Sequence, residues 1–174
     1  MIGAARQGLA LSRYLASHGA SVVLNDRRPD EALVEAQAEL ADLDITWVTG
    51  SHPFEILEDA NLVCLSGGVP LGLPLVQEAI HRNIPLSNDS QIFLDRAPCP
   101  VIGITGSSGK TTTTALVGEI ARQHYALREP ENKVWVGGNI GDPLIQYLDE
   151  MAPGDLAVME LSSFQLEIMT TSPH

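Results

Sequence analysis

Positive charge is scarce in this chain: ten Lys and Arg stand against 22 Asp and Glu, a formal net charge of −12. The few basic residues form no cluster. Nucleic acid and anionic membrane surfaces are bound through such clusters, so both are excluded as main partners. Cysteine is limited to Cys64 and Cys99, whose spacing fits no metal site. Cys64 falls in the apolar run Leu62-Val63-Cys64-Leu65 and reads as a buried strand thiol. No apolar stretch approaches the roughly 20 residues of a membrane-spanning helix, and no basic segment precedes an apolar one as in a secretory leader. A reducing, cytoplasmic setting is expected, and a monomer.

What is present is enough for real cores. Hydrophobic residues make up 44% of 174 positions, a length that admits one domain or two small ones. Strand and helix patterns alternate. Leu9 to His18 reads as a helix with Gly19 at its C-terminal cap, and Ser21 to Asn25 as a strand. Asp30 to Leu40 reads as a helix, Ile45 to Val48 and Leu62 to Leu65 as strands. Leu73 to Arg82 reads as a helix and Ile84 to Leu86 as a short strand. The stretch Arg96-Ala97-Pro98-Cys99-Pro100 is the linker candidate, because two prolines break either element. Beyond it come a strand at Val101 to Ile104, a long helix, a strand at Val134 to Val136, a helix near Pro143 to Asp149 and a strand at Leu156 to Met159. Such alternation predicts an α/β fold of parallel sheets with helices on both faces, and sites at the carboxyl ends of the strands. Both ends look cut. Only Met1-Ile2 stands before the first turn, and Thr170 to His174 closes nothing, so a fragment of a longer protein is expected.

The densest chemical signal is Val101 to Thr114, Val-Ile-Gly-Ile-Thr-Gly-Ser-Ser-Gly-Lys-Thr-Thr-Thr-Thr. An apolar strand, a glycine turn and a helix opening on Lys-Thr make a phosphate cradle. Backbone N–H groups and the helix dipole face the anion, and glycines let the backbone approach it. Thr105, Gly106, Ser107, Ser108, Gly109, Lys110, Thr111, Thr112 and Thr113 are the expected ATP-binding residues. Lys110 would reach the terminal phosphates, and the Thr111 hydroxyl would hold Mg²⁺. The general pattern puts its first glycine four residues before Gly-Lys. Here Ile104 stands there and Gly103 is one residue early, so the loop is a variant. The bland alternative is a Gly/Ser turn capping an ordinary helix.

Three other strand ends carry polar residues. Gly3-Ala4-Ala5-Arg6-Gln7-Gly8 resembles a dinucleotide fingerprint, with Ala5 where its middle glycine would stand, and reads equally as a plain tight turn. Asp26, after the next strand, is placed to take a ribose hydroxyl. Ser66-Gly67-Gly68-Val69-Pro70 is a third turn at which Gly68 could admit a ligand. In the second half, Asn139 is the one polar side chain of Gly137-Gly138-Asn139-Ile140-Gly141. Glu160 ends a strand near the phosphate loop, the place of a second Mg²⁺ holder. An acid at a helix N-terminus is the plainer reading of Glu160.

Taken together, the Thr105–Thr111 loop, Gly137–Gly141 and Glu160-Leu161-Ser162-Ser163-Phe164-Gln165-Leu166-Glu167 resemble the Mur ligases along the whole chain. Within them the nearest likeness is to the members that add D-glutamate to UDP-N-acetylmuramoyl-L-alanine in peptidoglycan synthesis. The resemblance implies a Rossmann-like UDP-substrate domain at residues 1–97 and an incomplete ATP-binding domain at 98–174, the C-terminal domain being absent. ATP would phosphorylate the muramoyl-alanine carboxylate, and the amine of D-glutamate would attack the acyl phosphate. By this resemblance Lys110 and Glu160 are catalytic, and Thr111 and Glu160 bind the metal. Arg6, Gln7, Asp26, Arg27 and Gly68 lie at UDP-contacting turns, and Asn139, Ser162 and Gln165 contact the muramoyl-alanine. The D-glutamate pocket and the family's metal-binding His and modified Lys would lie beyond His174, so these 174 residues alone are expected to be inactive. His174 stands too soon after Gln165 to be that His. Other readings remain: a Mur-like ligase of the folylpolyglutamate synthetase type, a nicotinamide oxidoreductase fused to a phosphate-loop module, and a nucleotide switch without amide chemistry.

Overall fold

The computed structural model describes residues 1–170; His174 lies outside them. The chain divides into two compact units, Met1–Asp89 and Ser90–His174. This division falls several residues before the two-proline stretch Arg96 to Pro100, because a helix that the sequence reading left unassigned packs with the second unit.

In the first unit, helix α1 (Arg6–Ser17) follows a turn in which Gly3 takes φ 91°. It ends at Gly19, whose φ of 82° is the left-handed stop expected of a glycine there. Strand β1 (Val22–Asp26) pairs in parallel with β2 (Ile45–Thr49), from Val22 opposite Ile45 to Asp26 opposite Thr49. β3 (Val63–Cys64) pairs in parallel with β4 (Leu86–Ser87), and Ile2 bridges to both Asn25 and Leu65. Helix α3 (Pro74–His81) lies between β3 and β4 in sequence, with Pro at its first position, where no N–H is needed. Ala4, Leu9, Leu24, Leu33 and Leu40 form one buried cluster. The helix expected over Asp30 to Leu40 is two pieces, a 3₁₀ turn at Asp30–Ala32 and α2 (Val34–Glu39). They break at Leu33, which leaves helical geometry (φ −120°, ψ 6°) with its side chain in that cluster. Phe54–Leu57 is a further 3₁₀ turn. Cys64 is a buried strand thiol, as read, and burial pushes its pKa up to about 11.

In the second unit, α4 (Asp89–Arg96) carries the fully buried Phe93. The sheet order is β5-β7-β6, with β5 (Val101–Ile104), β6 (Val134–Gly138) and β7 (Leu156–Glu160) all parallel. Helix α5 (Lys110–Arg128) approaches β6 so closely that a Cβ at Gly118 would come within 2.6 Å of Val136. The helix expected near Pro143 to Asp149 is instead a 3₁₀ helix, Leu144–Glu150, set off by Pro143 in an extended conformation. Leu144, Ile145 and Leu148 are its buried residues. Helix α6 (Ser163–Ile168) closes the described chain. The fold is therefore mixed α/β with parallel sheets, as the alternation predicts. Among the described residues no helix is long and apolar enough to cross a membrane.

Candidate functional sites

Register builds the site of the second unit. Ile104, Glu160 and Gly138 lie side by side at the carboxyl ends of β5, β7 and β6. Whatever follows each strand must therefore meet at one edge. After β5 comes the glycine turn. Gly106 (φ 151°) and Gly109 (φ 76°) hold conformations that side chains disfavour, and Gly109 caps α5 with no side-chain bond to the helix N–H groups. The turn is exposed. Lys110 opens α5, and its Nζ donates to the Gly106 carbonyl at 2.9 Å.

Glu160 is 1% exposed, yet both its oxygens are engaged. Thr111 Oγ1 donates to Oε2 at 2.9 Å, and Asn139 Nδ2 donates to Oε1 at 3.0 Å. The Asn139 N–H also donates to the Glu160 carbonyl at 2.9 Å. Gly138 makes this possible: with φ 106°, a Cβ there would stand 2.6 Å from that carbonyl. Three residues separated by up to 49 positions thus share one hydrogen-bonded cluster beside the glycine turn. Its donor set is hydroxyl and carboxylate oxygen, the chemistry that Mg²⁺ takes. No three His, Cys, Asp or Glu converge among the described residues, at this site or any other. Mg²⁺ commonly needs only one or two protein carboxylates beside waters and phosphates, so the pair fits it.

Ser162 and Gln165, expected as substrate contacts, have a structural partnership of their own. They form a capping box at the head of α6. The Ser162 N–H donates to Gln165 Oε1 at 2.8 Å, and the Gln165 N–H donates to Ser162 Oγ at 3.2 Å. Gln165 is 2% exposed, and its Nε2 donates to Ser90 Oγ at 2.6 Å. The pair fixes the chain that leaves Glu160.

The first unit has its own site at the carboxyl ends of β1 and β3. A cavity of about 400 Å³ is lined by Ile2, Gly3, Asp26, Arg27, His52, Gly68, Val69, Pro70 and Leu73. Three of the predicted residues, Asp26, Arg27 and Gly68, line it. Arg6 is exposed on the first turn of α1. Gln7 is buried and ties two turns together, its Oε1 accepting from the Gly67 N–H at 3.0 Å. Its Nε2 is buried and without a partner.

Asp26 does not offer a free carboxylate. One oxygen accepts from the Ala4 N–H and from Arg28 Nη2, both at 2.8 Å. The other accepts from the Arg28 N–H at 2.9 Å and from Arg28 Nε at 3.0 Å. Burial works against its charge, but the Arg28 side chain, the Arg28 and Ala4 N–H groups and the guanidinium charge outweigh that. They hold its pKa well below the usual carboxylate range. Arg28 Nη2 also donates to the Ala4 carbonyl at 3.0 Å. Sequence reasoning missed Arg28, although it stands two residues after Asp26, and missed His52, whose Nδ1 lies 2.5 Å from Asn25 Oδ1.

Comparison with known proteins covers both units. Residues 1–88 match the family model described as Mur ligase MurD-like, N-terminal domain, and residues 104–172 match the Mur ligase middle domain. The chain is 42% identical over its full length to the UDP-N-acetylmuramoylalanine–D-glutamate ligase of Symbiobacterium thermophilum, covering 37% of that protein. It is 38% identical over 95% of its length to the enzyme of the same name from Enterococcus faecalis, covering 36% of it. The chain thus spans little more than a third of the length of these relatives. Among solved structures, a pseudomurein peptide ligase type C from Methanothermus fervidus aligns with 94% of this chain and 32% of its own. The TM-score is 0.50 and the identity 25%.

Proposed function

This chain belongs to the Mur ligase family, and we propose that it is the substrate-nucleotide and ATP-binding part of an ATP-dependent ligase. The reaction joins D-glutamate to UDP-N-acetylmuramoyl-L-alanine in peptidoglycan synthesis, in the cytoplasm. The observation that carries the reading is the meeting of Thr111 with Glu160 and of Glu160 with Asn139 beside the Lys110 turn. The near relatives bear the name of that ligase.

The chemistry follows from the parts. A carboxylate oxygen of the muramoyl-alanine attacks the terminal phosphorus of ATP, and ADP leaves. The amine of D-glutamate then attacks the acyl carbon, phosphate leaves, and the amine proton passes to solvent or a base. Residues Thr105 to Thr113 wrap the phosphates, with the Gly106 and Gly109 conformations turning N–H groups toward them. Lys110 releases the Gly106 carbonyl and moves to the terminal phosphates. Thr111 and Glu160 would hold Mg²⁺, which when bound would neutralise charge on the transferred group. Asn139 fixes one Glu160 oxygen, and Ser162 with Gln165 sets the chain behind it. The cavity of the first unit takes the uridine nucleotide, with Arg6, Arg27, Arg28 and Gly68 around it.

The test is phosphate release from ATP by a ligase of the relatives' full length carrying this chain in place of the matching third. UDP-N-acetylmuramoyl-L-alanine is supplied with and without D-glutamate. Release that needs both is expected. Release indifferent to D-glutamate, or supported by a different amino acid, overturns the assignment.

A further inference from the structure

We propose that His52 is a specificity residue of the first unit's cavity, reading a ring N–H of the nucleotide base through the lone pair on its Nε2. The inference rests on the reading of that cavity as a nucleotide site. It starts from Asn25, which is fully buried. Asn25 Nδ2 donates to the Val48 carbonyl at 2.7 Å and to the Ser51 carbonyl at 2.8 Å. Two carbonyl acceptors fix which end of the amide is nitrogen, so the oxygen is the end that faces His52. An amide oxygen only accepts. Nδ1 of His52 must therefore carry the proton, and in the neutral ring Nε2 presents a lone pair. No hydrogen bond links Nε2 to a described residue, and His52 lines the cavity.

The other polar side chains of the cavity cannot do this work. Arg27 is a donor only. Asp26 has about four acceptor positions on its two oxygens, and Arg28 and Ala4 fill all four. The acidic residue at the end of β1 is thus a clamp for the turn, and the free side-chain acceptor of the cavity is His52. Val69, Pro70 and Leu73 supply an apolar wall suited to a flat ring. Against such a wall an acceptor favours a base with a ring N–H, as uracil has at N3. It disfavours cytosine, whose N3 is itself an acceptor.

The experiment measures binding of UDP, CDP and N3-methyl-UDP to this chain by calorimetry, for the wild type, His52→Phe and His52→Gln. Melting curves check that each variant is folded. The wild type should bind UDP about tenfold more tightly than the other two ligands, the scale of one hydrogen bond made rather than left unmade. His52→Phe should bring UDP down to the level of N3-methyl-UDP, and His52→Gln, which keeps an acceptor, should restore part of the preference. Nitrogen-15 spectra should show Nε2 as the unprotonated ring nitrogen, moving when UDP is added. Equal binding of UDP and N3-methyl-UDP by the wild type, or a preference unchanged in His52→Phe, or a proton found on Nε2, overturns the role of His52 and leaves the nucleotide site standing. Failure of the wild type to bind UDP at all overturns the nucleotide reading and this proposal with it.

Discussion

Each unit of this molecule places a buried carboxylate at the end of a parallel strand, and the two carboxylates do opposite things. In the first unit Asp26 is saturated by Arg28 and Ala4. It sits at the cavity but serves the turn around it. In the second, Glu160 accepts one side-chain bond on each oxygen, from Thr111 and Asn139. That leaves acceptor positions open for an ion or a ligand. The second unit keeps its scaffold carboxylate elsewhere. Asp155 accepts from the Lys133 N–H and Trp135 Nε1 at 2.8 Å and from the Ala152 N–H at 3.0 Å, one residue before β7 begins. Glu160 ends the same strand, roughly 16 Å away at about 3.3 Å per residue. Scaffold and candidate site are thus separated along β7 and superposed at the end of β1. A carboxylate at a strand end is read correctly only once its hydrogen bonds are counted.

The sharpest way to test the contrast is to remove Lys110. It is held by one exposed bond to the Gly106 carbonyl, so Lys110→Ala should leave stability within about 0.5 kcal/mol. Phosphate release by a full-length ligase carrying the variant should fall about 10³-fold, the scale of losing a charge-stabilising donor. A melting temperature that drops together with activity would make Lys110 scaffold and erase the contrast.

Asp26→Ala is expected to do the reverse, costing about 2–3 kcal/mol of stability by leaving a buried N–H and a guanidinium unsatisfied. The pH dependence has a definite sign. The folded-state pKa of Asp26 lies below the unfolded value of about 3.9. Its contribution is therefore complete above that value and is lost as pH falls toward the folded-state pKa. In urea unfolding, the gap between wild type and Asp26→Ala should be full at pH 7 and shrink steadily below about pH 4. A gap independent of pH would mean that the loss comes from packing rather than from the charge.

Asp155→Ala probes the other side, with about 2 kcal/mol expected from three lost bonds to a charged acceptor, partly recovered by water. Burial opposes its charge, but the Trp135 side chain and the Lys133 and Ala152 N–H groups hold its pKa below the ordinary carboxylate value. ATP affinity of the folded variant should stay within about twofold. A larger loss of affinity would show that the two ends of β7 are coupled.

These contrasts also mark what could be read from the chain. Val101 to Ile104 was legible residue for residue, because an apolar run ended at a glycine turn and Lys110 opened a helix. The meeting of Thr111, Asn139 and Glu160 was legible only as a list, since register between strands 20 to 60 residues apart brings them together. The hydrogen bonds of Asp26 were not legible, because saturation is a three-dimensional count. Arg28 fills three of its four positions, and nothing in the spacing distinguishes Arg28 from Arg27. Helix α4 was missed although Asp89 and Ser90 stand before Gln91 to Leu94, a start signal obscured by the prolines that follow. The 3₁₀ helix at Leu144–Glu150 has the same apolar spacing as an α-helix of that length, and only packing tells them apart.

The finest distinction concerns Ser162, one residue beyond Leu161 on the chain leaving Glu160. If it acts as a cap, Ser162→Ala should cost about 1 kcal/mol, and Ser162→Asp should recover most of it, since aspartate caps as well as serine. A substrate-contacting hydroxyl behaves differently. Ser162→Asp would then remain stable but raise the KM for UDP-N-acetylmuramoyl-L-alanine severalfold, because the added charge faces an anionic substrate. The geometry favours the cap: Ser162 Oγ lies 3.2 Å from the Gln165 N–H and 3.0 Å from Gln165 Oε1, and Gln165 is anchored on Ser90. Stability and KM both near wild type in Ser162→Asp would place Ser162 with Asp26 and Asp155, among polar residues that shape a strand end. Stability preserved with a raised KM would move it to the side of Glu160 and return it to the substrate.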